Sequence, residues 1–220
     1  MPRRVLIVGA TGYIGSRLGP RLADRGHLIA ALVRPESAAR TPSGCRAIAG
    51  DAFDVESYSN ATCGHDTLVH LIGVARPSPA KAAQFESVDL ASARVAAAAA
   101  ARTDIRHIVY VSVAQPAPVM DAYVAARQRA EAELRATEIP CTLLRPWYVI
   151  GPGHYWPLSL WPIYRVLELM PATREGALRL GLISLRTILD CLTHAIENPP
   201  SESRTWDVPT MRRIAAGLKQ

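Results

Sequence analysis

The stretch Gly9-Ala10-Thr11-Gly12-Tyr13-Ile14-Gly15 restricts what this chain can fold into more than any other feature. It directly follows an unbroken apolar run, Arg4-Val5-Leu6-Ile7-Val8, which reads as a parallel strand buried on both faces. It opens a segment from Tyr13 to Arg25 in which Ile14, Leu18 and Leu22 recur at helical spacing, and Gly26 supplies a stop. A strand that hands over to a helix through glycines forms a cradle of bare main chain. Gly9 permits the tight turn, Gly12 leaves the backbone open to a pyrophosphate, and Gly15 lets the helix pack close to the strand. The helix N-terminus then presents free N–H groups and a partial positive charge to phosphate oxygens. Gly9, Thr11, Gly12, Tyr13, Ile14 and Gly15 are the candidate contacts to a dinucleotide.

The rest of the chain repeats this alternation. Apolar runs expected as strands are His27–Val33, Cys45–Ala49, Thr67–Ile72, Ile105–Ser112 and Cys141–Arg145, the last stopped by Pro146. Between them lie helical patterns over Val55–Ala61, Lys81–Arg102 and Asp121–Thr137. Strand and helix in alternation imply an α/β, Rossmann-type, doubly wound parallel sheet. From Trp147 the texture changes to Pro, Gly and aromatics. A helix is expected over Leu158–Leu169, a short strand over Ala177–Leu180, a helix capped by Ser184 and running to about Asn198, and a last strand over Thr205–Val208. The expectation is a single domain, 1–220, in which residues 147–220 contribute a small lobe on the substrate side.

Composition removes several classes. Hydrophobic residues are 49% and charged residues 20% of the 220, which is ordinary for a globular chain. The longest charge-free apolar stretch, Trp147 to Tyr164, is interrupted by prolines, glycines and a histidine, so no membrane span is expected. Four apolar residues before Gly9 are too few for a secretory signal, which points to a cytoplasmic protein. Cys45, Cys63, Cys141 and Cys191 form no CxxC pair, so neither a metal site nor a disulfide framework is expected. The net charge of +6 comes from scattered arginines, not from a basic block interleaved with aromatics, and nucleic acid is not an expected partner.

The second strand ends Ala31-Leu32-Val33-Arg34. A carboxylate at this place accepts the ribose 2′-hydroxyl of NAD(H), whereas a guanidinium suits a 2′-phosphate. Arg34 therefore points to NADP(H) in preference to NAD(H). After the fourth strand, Leu71-Ile72-Gly73 brings a small residue to the place where backbone would lie against the adenosine ribose and phosphates.

The spacing Gly9-x-x-Gly12-x-x-Gly15 resembles the extended and atypical short-chain dehydrogenase/reductase superfamily, above all its NmrA-like and NAD-dependent epimerase/dehydratase-like members. The resemblance extends over roughly residues 3–200. It implies that Asp51, in Gly50-Asp51-Ala52, points at the adenine amino group, although Asp51 or Asp54 would serve equally as a helix cap. It implies catalytic roles for Ser112, in Val111-Ser112-Val113, and for Tyr123 and Arg127, in Tyr123-Val-Ala-Ala-Arg127. Tyrosine would move the proton, serine would orient a carbonyl, and the cation would stabilise the tyrosinate and hold the nicotinamide ribose. Arg127 stands where the family carries lysine. The segment Arg145-Pro146-Trp147-Tyr148-Val149-Ile150-Gly151 resembles one whose backbone, after Pro146, lies near the nicotinamide carboxamide. His154, Tyr155, Trp156 and Trp161 either line a pocket for a small apolar substrate or pack the lobe.

Two functions follow from these residues. One is an NADP(H)-dependent oxidoreductase acting on a small carbonyl or hydroxyl compound. The other, favoured by the Lys-to-Arg change, is a dinucleotide-binding redox sensor or an accessory subunit without turnover. The alanine-rich stretch Ala96–Ala101 offers either an interface for a homodimer or larger complex, or a close approach to the sheet.

Overall fold

A computed structural model describes residues 2–218. In chain order the elements are β1 (Arg4–Val8), α1 (Gly15–Asp24), β2 (Leu28–Val33), β3 (Cys45–Ala49), α2 (Val55–Thr62), β4 (Thr67–His70), α3 (Ala82–Gln84), α4 (Ala91–Ala100), β5 (His107–Val111), α5 (Asp121–Arg135) and β6 (Cys141–Leu144). They continue with β7 (Tyr148–Ile150), α6 (Trp161–Leu169), α7 (Pro171–Arg179), β8 (Leu182–Ser184), α8 (Leu185–Glu197), β9 (Arg204–Trp206) and α9 (Val208–Gly217). Seven strands form one sheet in the order β3-β2-β1-β4-β5-β6-β9, and every neighbouring pair is parallel. β7 and β8 form a separate parallel pair. The doubly wound sheet is as expected. Its strand order reverses direction between β1 and β4, which opens a crevice at the carboxyl edge of those strands.

Alternation along each strand divides the core into two layers. Val5, Ile7, Ala31, Val69, Val109 and Leu144 face α1, α8 and α9, where they meet Leu18, Leu22, Ile188, Leu192 and Met211. Leu6, Val8, Ala30, Leu68, Ile108 and Leu143 face α2, α4 and α5, where they meet Tyr58, Ala93, Ala96, Ala130 and Leu134. Leu18 and Leu22 are wholly buried, and each contributes about 1.5–3 kcal/mol of apolar burial that fixes α1 on the sheet. The alanine run also faces the sheet: Ala96, Ala99 and Ala100 have no exposed surface. Their small side chains allow the close helix–sheet approach.

Boundaries follow local chemistry. Gly26, at φ +82°, ends α1 by a turn in which His27 N–H bonds the Leu22 carbonyl at 3.2 Å. Ser184 caps α8 as expected, its hydroxyl accepting the Thr187 N–H at 3.0 Å. Asp207 caps α9 through the Thr210 N–H at 2.8 Å, and α9 was not expected from the sequence.

Three expectations are corrected. Ala177–Leu180 is not a strand; it lies at the end of α7, which Pro171 starts and in which Arg174 N–H bonds the Met170 carbonyl. The helix expected over Lys81–Arg102 is interrupted by a π-helical turn over Phe85–Leu90, and this turn brings Asp89 into the interior. The last strand ends at Trp206, because Asp207 begins the helix that follows. Of residues 147–218, β9, α8 and α9 pack on the main sheet, while 148–181 lies outside it.

Candidate functional site

The glycine turn sits at the crevice. Gly9 adopts φ +87°, which suits glycine, and Gly12 N–H closes the turn on the Gly9 carbonyl at 3.0 Å. A Cβ on Gly9 would stand 2.9 Å from the Leu71 carbonyl carbon, so the turn after β1 packs backbone to backbone against the loop after β4. A Cβ on Gly15 would fall 2.7 Å from Ala10 Cα and against the Gly9 carbonyl oxygen. At the start of α1, Ile14 provides no side-chain cap, and the first turn holds no acidic residue. Nothing there competes with an anion for the free amides. Gly12 is exposed at this end. These residues fit a diphosphate on bare main chain.

Around the turn, Tyr13 and Ile14 pack on the core layer that contains α1. Arg17 folds back over Tyr13: its guanidinium carbon lies 4.7 Å from the ring centroid, and Nη1 donates to the Tyr13 carbonyl at 2.7 Å. The loop after β6 returns to the same place. A Cβ on Gly151 would approach the Tyr13 hydroxyl to 2.5 Å, and the Tyr13 and His154 rings stand 5.2 Å apart. Pro146 is buried, and its carbonyl takes the Ala114 N–H at 2.9 Å, tying the loops after β5 and β6 together.

Arg34 follows β2 in extended backbone and is exposed, and among the described residues it pairs with Glu36 at 3.3 Å. Asp51 is exposed beyond β3, with Oδ1 accepting the Phe53 N–H at 2.9 Å. Asp54, not Asp51, caps α2, through the Ser57 N–H at 2.7 Å. Ala52 and Ile72 pack on the second core layer and Leu71 on the first.

Ser112 follows β5. Its N–H bonds the Leu144 carbonyl at 2.7 Å, while its buried Oγ has no hydrogen-bond partner among the described residues. Tyr123 is half-buried on α5, its ring 4.9 Å from that of Phe85. Arg127 connects the two. Nη1 donates to the carbonyl of Val111, next to Ser112, at 2.9 Å, and the guanidinium carbon lies 5.3 Å from the Tyr123 ring centroid. The head of Arg127 is nonetheless buried. Nη1 also donates to the Tyr110 hydroxyl at 2.9 Å, and Nη2 pairs with Asp89 Oδ1 at 2.6 Å. Burial opposes the guanidinium's charge, but Tyr110, Tyr123 and Asp89 outweigh it and raise its pKa. Burial likewise pushes the Asp89 carboxyl up, against the pull of Arg127. Burial raises the Tyr110 phenol to about 12. Asp89 was missed from the sequence; the one available signal was an acidic residue on the apolar face of a helical pattern.

Arg145 pairs with Glu131 of α5 through one guanidinium edge, Nε donating to Oε1 at 2.9 Å and Nη2 to Oε2 at 2.5 Å, and Gln115 adds a bond to the same carboxylate at 2.8 Å. Beside it, a polar cavity of about 210 Å³ at the carboxyl edge of β5, β6 and β9 is lined by Gln115, Arg145, Arg179, Thr205 and Asp207, among others. Tyr155, Trp156 and Trp161 are more than half exposed, and His154 is half-buried. Among the described residues no helix is long and apolar enough to cross a membrane.

The profile of the NAD(P)H-binding family matches residues 9–151, from the glycine turn to the loop after β6. This chain belongs to the NAD(P)H-binding family. The match spans the site just described, and the resemblance to the short-chain dehydrogenase/reductase superfamily is borne out with it. Relatives include a 3-diazoavenalumate denitrifying reductase of a Streptomyces species, 31% identical over 91% of this chain and 73% of that protein. A ceramide reductase of Caulobacter vibrioides is 27% identical over 78% of this chain. The chain spans only 54% of that reductase's length. Among solved structures, the Bordetella bronchiseptica enzyme WbmH in complex with NAD+ covers 99% of this chain and 81% of its own, with a TM-score of 0.70 and 16% identity. MoeE5 in complex with UDP-glucuronic acid and NAD gives a TM-score of 0.69 at 19% identity, covering 98% of this chain and 82% of its own. At such identities the likeness shows the fold of this NAD(P)H-binding family member.

Proposed function

We propose that this family member is an NADP(H)-dependent reductase of a small carbonyl compound. The observation that carries the reading is the pairing, at one sheet edge, of an uncapped helix start free of acidic residues with a buried, unpartnered Ser112 hydroxyl. A buried hydroxyl without a partner costs about 1–3 kcal/mol unless a ligand atom satisfies it, and a substrate carbonyl oxygen is such an acceptor. The bound nicotinamide supplies the hydride. Ser112 Oγ–H orients the carbonyl, and Tyr123 gives the proton from the next helix. The Arg127 charge reaches Tyr123 through the ring face only. Arg34, exposed after the end of β2 and held only at the surface by Glu36, suits a 2′-phosphate. The exposed apolar surface of Tyr155, Trp156 and Trp161 suits an apolar substrate body. The names of the relatives as reductases favour reduction over oxidation.

NADPH titrated into the protein should give saturable binding, and NADPH oxidation with a panel of small carbonyl compounds should give turnover. Tyr123→Phe should abolish turnover while NADPH still binds. Equal rates in both proteins exclude Tyr123 as the proton donor. The buried pairing of Arg127 with Asp89 favours the second reading, a dinucleotide-binding sensor or accessory subunit, because the cation is turned inward. Binding without turnover across the panel selects that reading.

A further inference from the structure

We propose that Asp89 and Arg127 form a positioning clamp, which holds the Gly73–Val74 loop in the shape that receives the adenosine half of the dinucleotide. The inference rests on the reading above that the loop after β4 lines the dinucleotide site. It assigns Arg127 a place beneath the site, not within the reacting cleft.

The clamp joins separate elements at one buried point. Asp89 has no exposed surface and hangs from the π-helical turn Phe85–Leu90. Its Oδ2 accepts the Val74 N–H at 3.1 Å, and its Oδ1 lies 2.6 Å from Arg127 Nη2. Arg127 reaches across from α5, and its Nη1 holds both the Tyr110 hydroxyl and the Val111 carbonyl of β5 at 2.9 Å. The loop is thus fastened by one carboxylate, and that carboxylate is fastened by one guanidinium. The Arg127 side chain is only 6% exposed, and its Nη1 and Nη2 are taken up by Tyr110, Val111 and Asp89.

Gly73 belongs to the same device. A Cβ there would fall on Arg127 Nη2 and 3.1 Å from Asp89 Oδ1. The glycine makes room for the guanidinium below the loop, which is a requirement separate from any approach by a cofactor above it. Lysine has a compact ammonium and no planar fork, and could not hold Tyr110, Val111 and Asp89 together. The arginine in place of the family's lysine is therefore the expected partner of a buried carboxylate. Removing one member leaves the other charged, buried and unpaired, which is far costlier than replacing both by apolar side chains.

The test compares NADPH with 2′-phospho-ADP (adenosine 2′-phosphate 5′-diphosphate), which lacks the nicotinamide riboside. The proteins are the wild type, the paired replacement Asp89→Leu with Arg127→Met, and Asp89→Asn. The clamp predicts that the paired replacement weakens both ligands by the same factor, about tenfold, the equivalent of a lost loop hydrogen bond. Asp89→Asn leaves one acceptor oxygen where two are used, so it too should weaken both ligands by a common factor. Loss confined to NADPH would place Arg127 at the nicotinamide ribose and overturn the proposal, as would unchanged binding of both ligands. Amide hydrogen exchange on the wild type needs no variant. Val74 should be protected like the β4 amides, and exchange at the rate of an open loop refutes the clamp even if both replacements unfold. Failure of the wild type to bind either ligand, with Val74 protected, refutes the dinucleotide reading instead.

Discussion

Replacing Gly73 with alanine separates a structural demand for glycine from a ligand's demand. The φ of Gly73 lies outside the left-handed range that disfavours side chains, so the backbone itself accepts alanine. In such places Gly→Ala stabilises by about 0.4–1 kcal/mol, through the lower entropy of the unfolded chain. Here the added methyl would overlap Arg127 Nη2 and stand 3.2 Å from its guanidinium carbon and 3.1 Å from Asp89 Oδ1. Shifting a packed core group to make room costs about 1–3 kcal/mol. Breaking the buried pair would cost about 3–5 kcal/mol. The overlap outweighs the entropy gain, leaving a net loss of about 1–4 kcal/mol. For a chain of this size that lowers Tm by roughly 3–12 °C. Thermal and urea unfolding without any ligand read the effect. Repeating Gly73→Ala in an Arg127→Ala background supplies the control. With the guanidinium gone the methyl has space, so the penalty should vanish and the two changes should couple by about 1–3 kcal/mol. A Tm that rises in the wild-type background, or an equal penalty in both, refutes the reasoning.

Two further outcomes are expected. Arg34→Glu should weaken NADPH relative to NADH by about tenfold or more, since a carboxylate repels the 2′-phosphate; an unchanged preference in a fluorescence titration removes Arg34 from coenzyme choice. His70 and His107 are held neutral, both at about 3, by burial first and then by nearby arginines. Their folded pKa values lie below the ordinary 6.5, so the stability tied to the neutral form is present above pH 6.5 and is lost as pH falls toward 3. At pH 5 each should have lost about 2 kcal/mol, so the urea midpoint should drop clearly between pH 7.5 and pH 5. His70→Gln and His107→Gln should each flatten that drop, and equal midpoints at the two pH values contradict the burial argument.

What the sequence made legible is what backbone geometry demands. The three glycines after β1 are needed because their missing Cβ atoms would meet Leu71, Gly9 and Ala10 main chain, and such needs show in the residue type. The bounds of β3, Cys45–Ala49, match expectation because a short apolar run between turn residues admits few alternatives. The Ser184 cap is legible for the same reason. Arg127 was read only in part. Its spacing from Tyr123 is visible, but its direction is set by Asp89, a residue on a different helix, and by a π-helical turn that has no periodic pattern. The strand expected at Ala177–Leu180 failed because four residues carry too little alternation to outweigh a proline-started helix.

The same contrast runs through the whole molecule. The sheet and its flanking helices bury their apolar stripes, so periodicity reports them. In the segment outside the sheet, α6 buries none of its residues. Eight of the twelve large hydrophobic side chains exposed in the described chain lie between Tyr155 and Met170. Their neighbours are local, as where Trp156 meets the Tyr148 ring at 5.3 Å and Trp161 the Arg165 guanidinium at 5.9 Å, so the helix expected over Leu158–Leu169 is found as α6 without joining either core layer. Neither core layer includes any of them, so changes there leave both layers intact. A coenzyme common to a family calls for invariant backbone, whereas substrate choice calls for replaceable side chains. On the proposed reading, the first falls to β1, β4 and α1, and the second to the turn Trp156–Leu160 and α6 beyond the sheet.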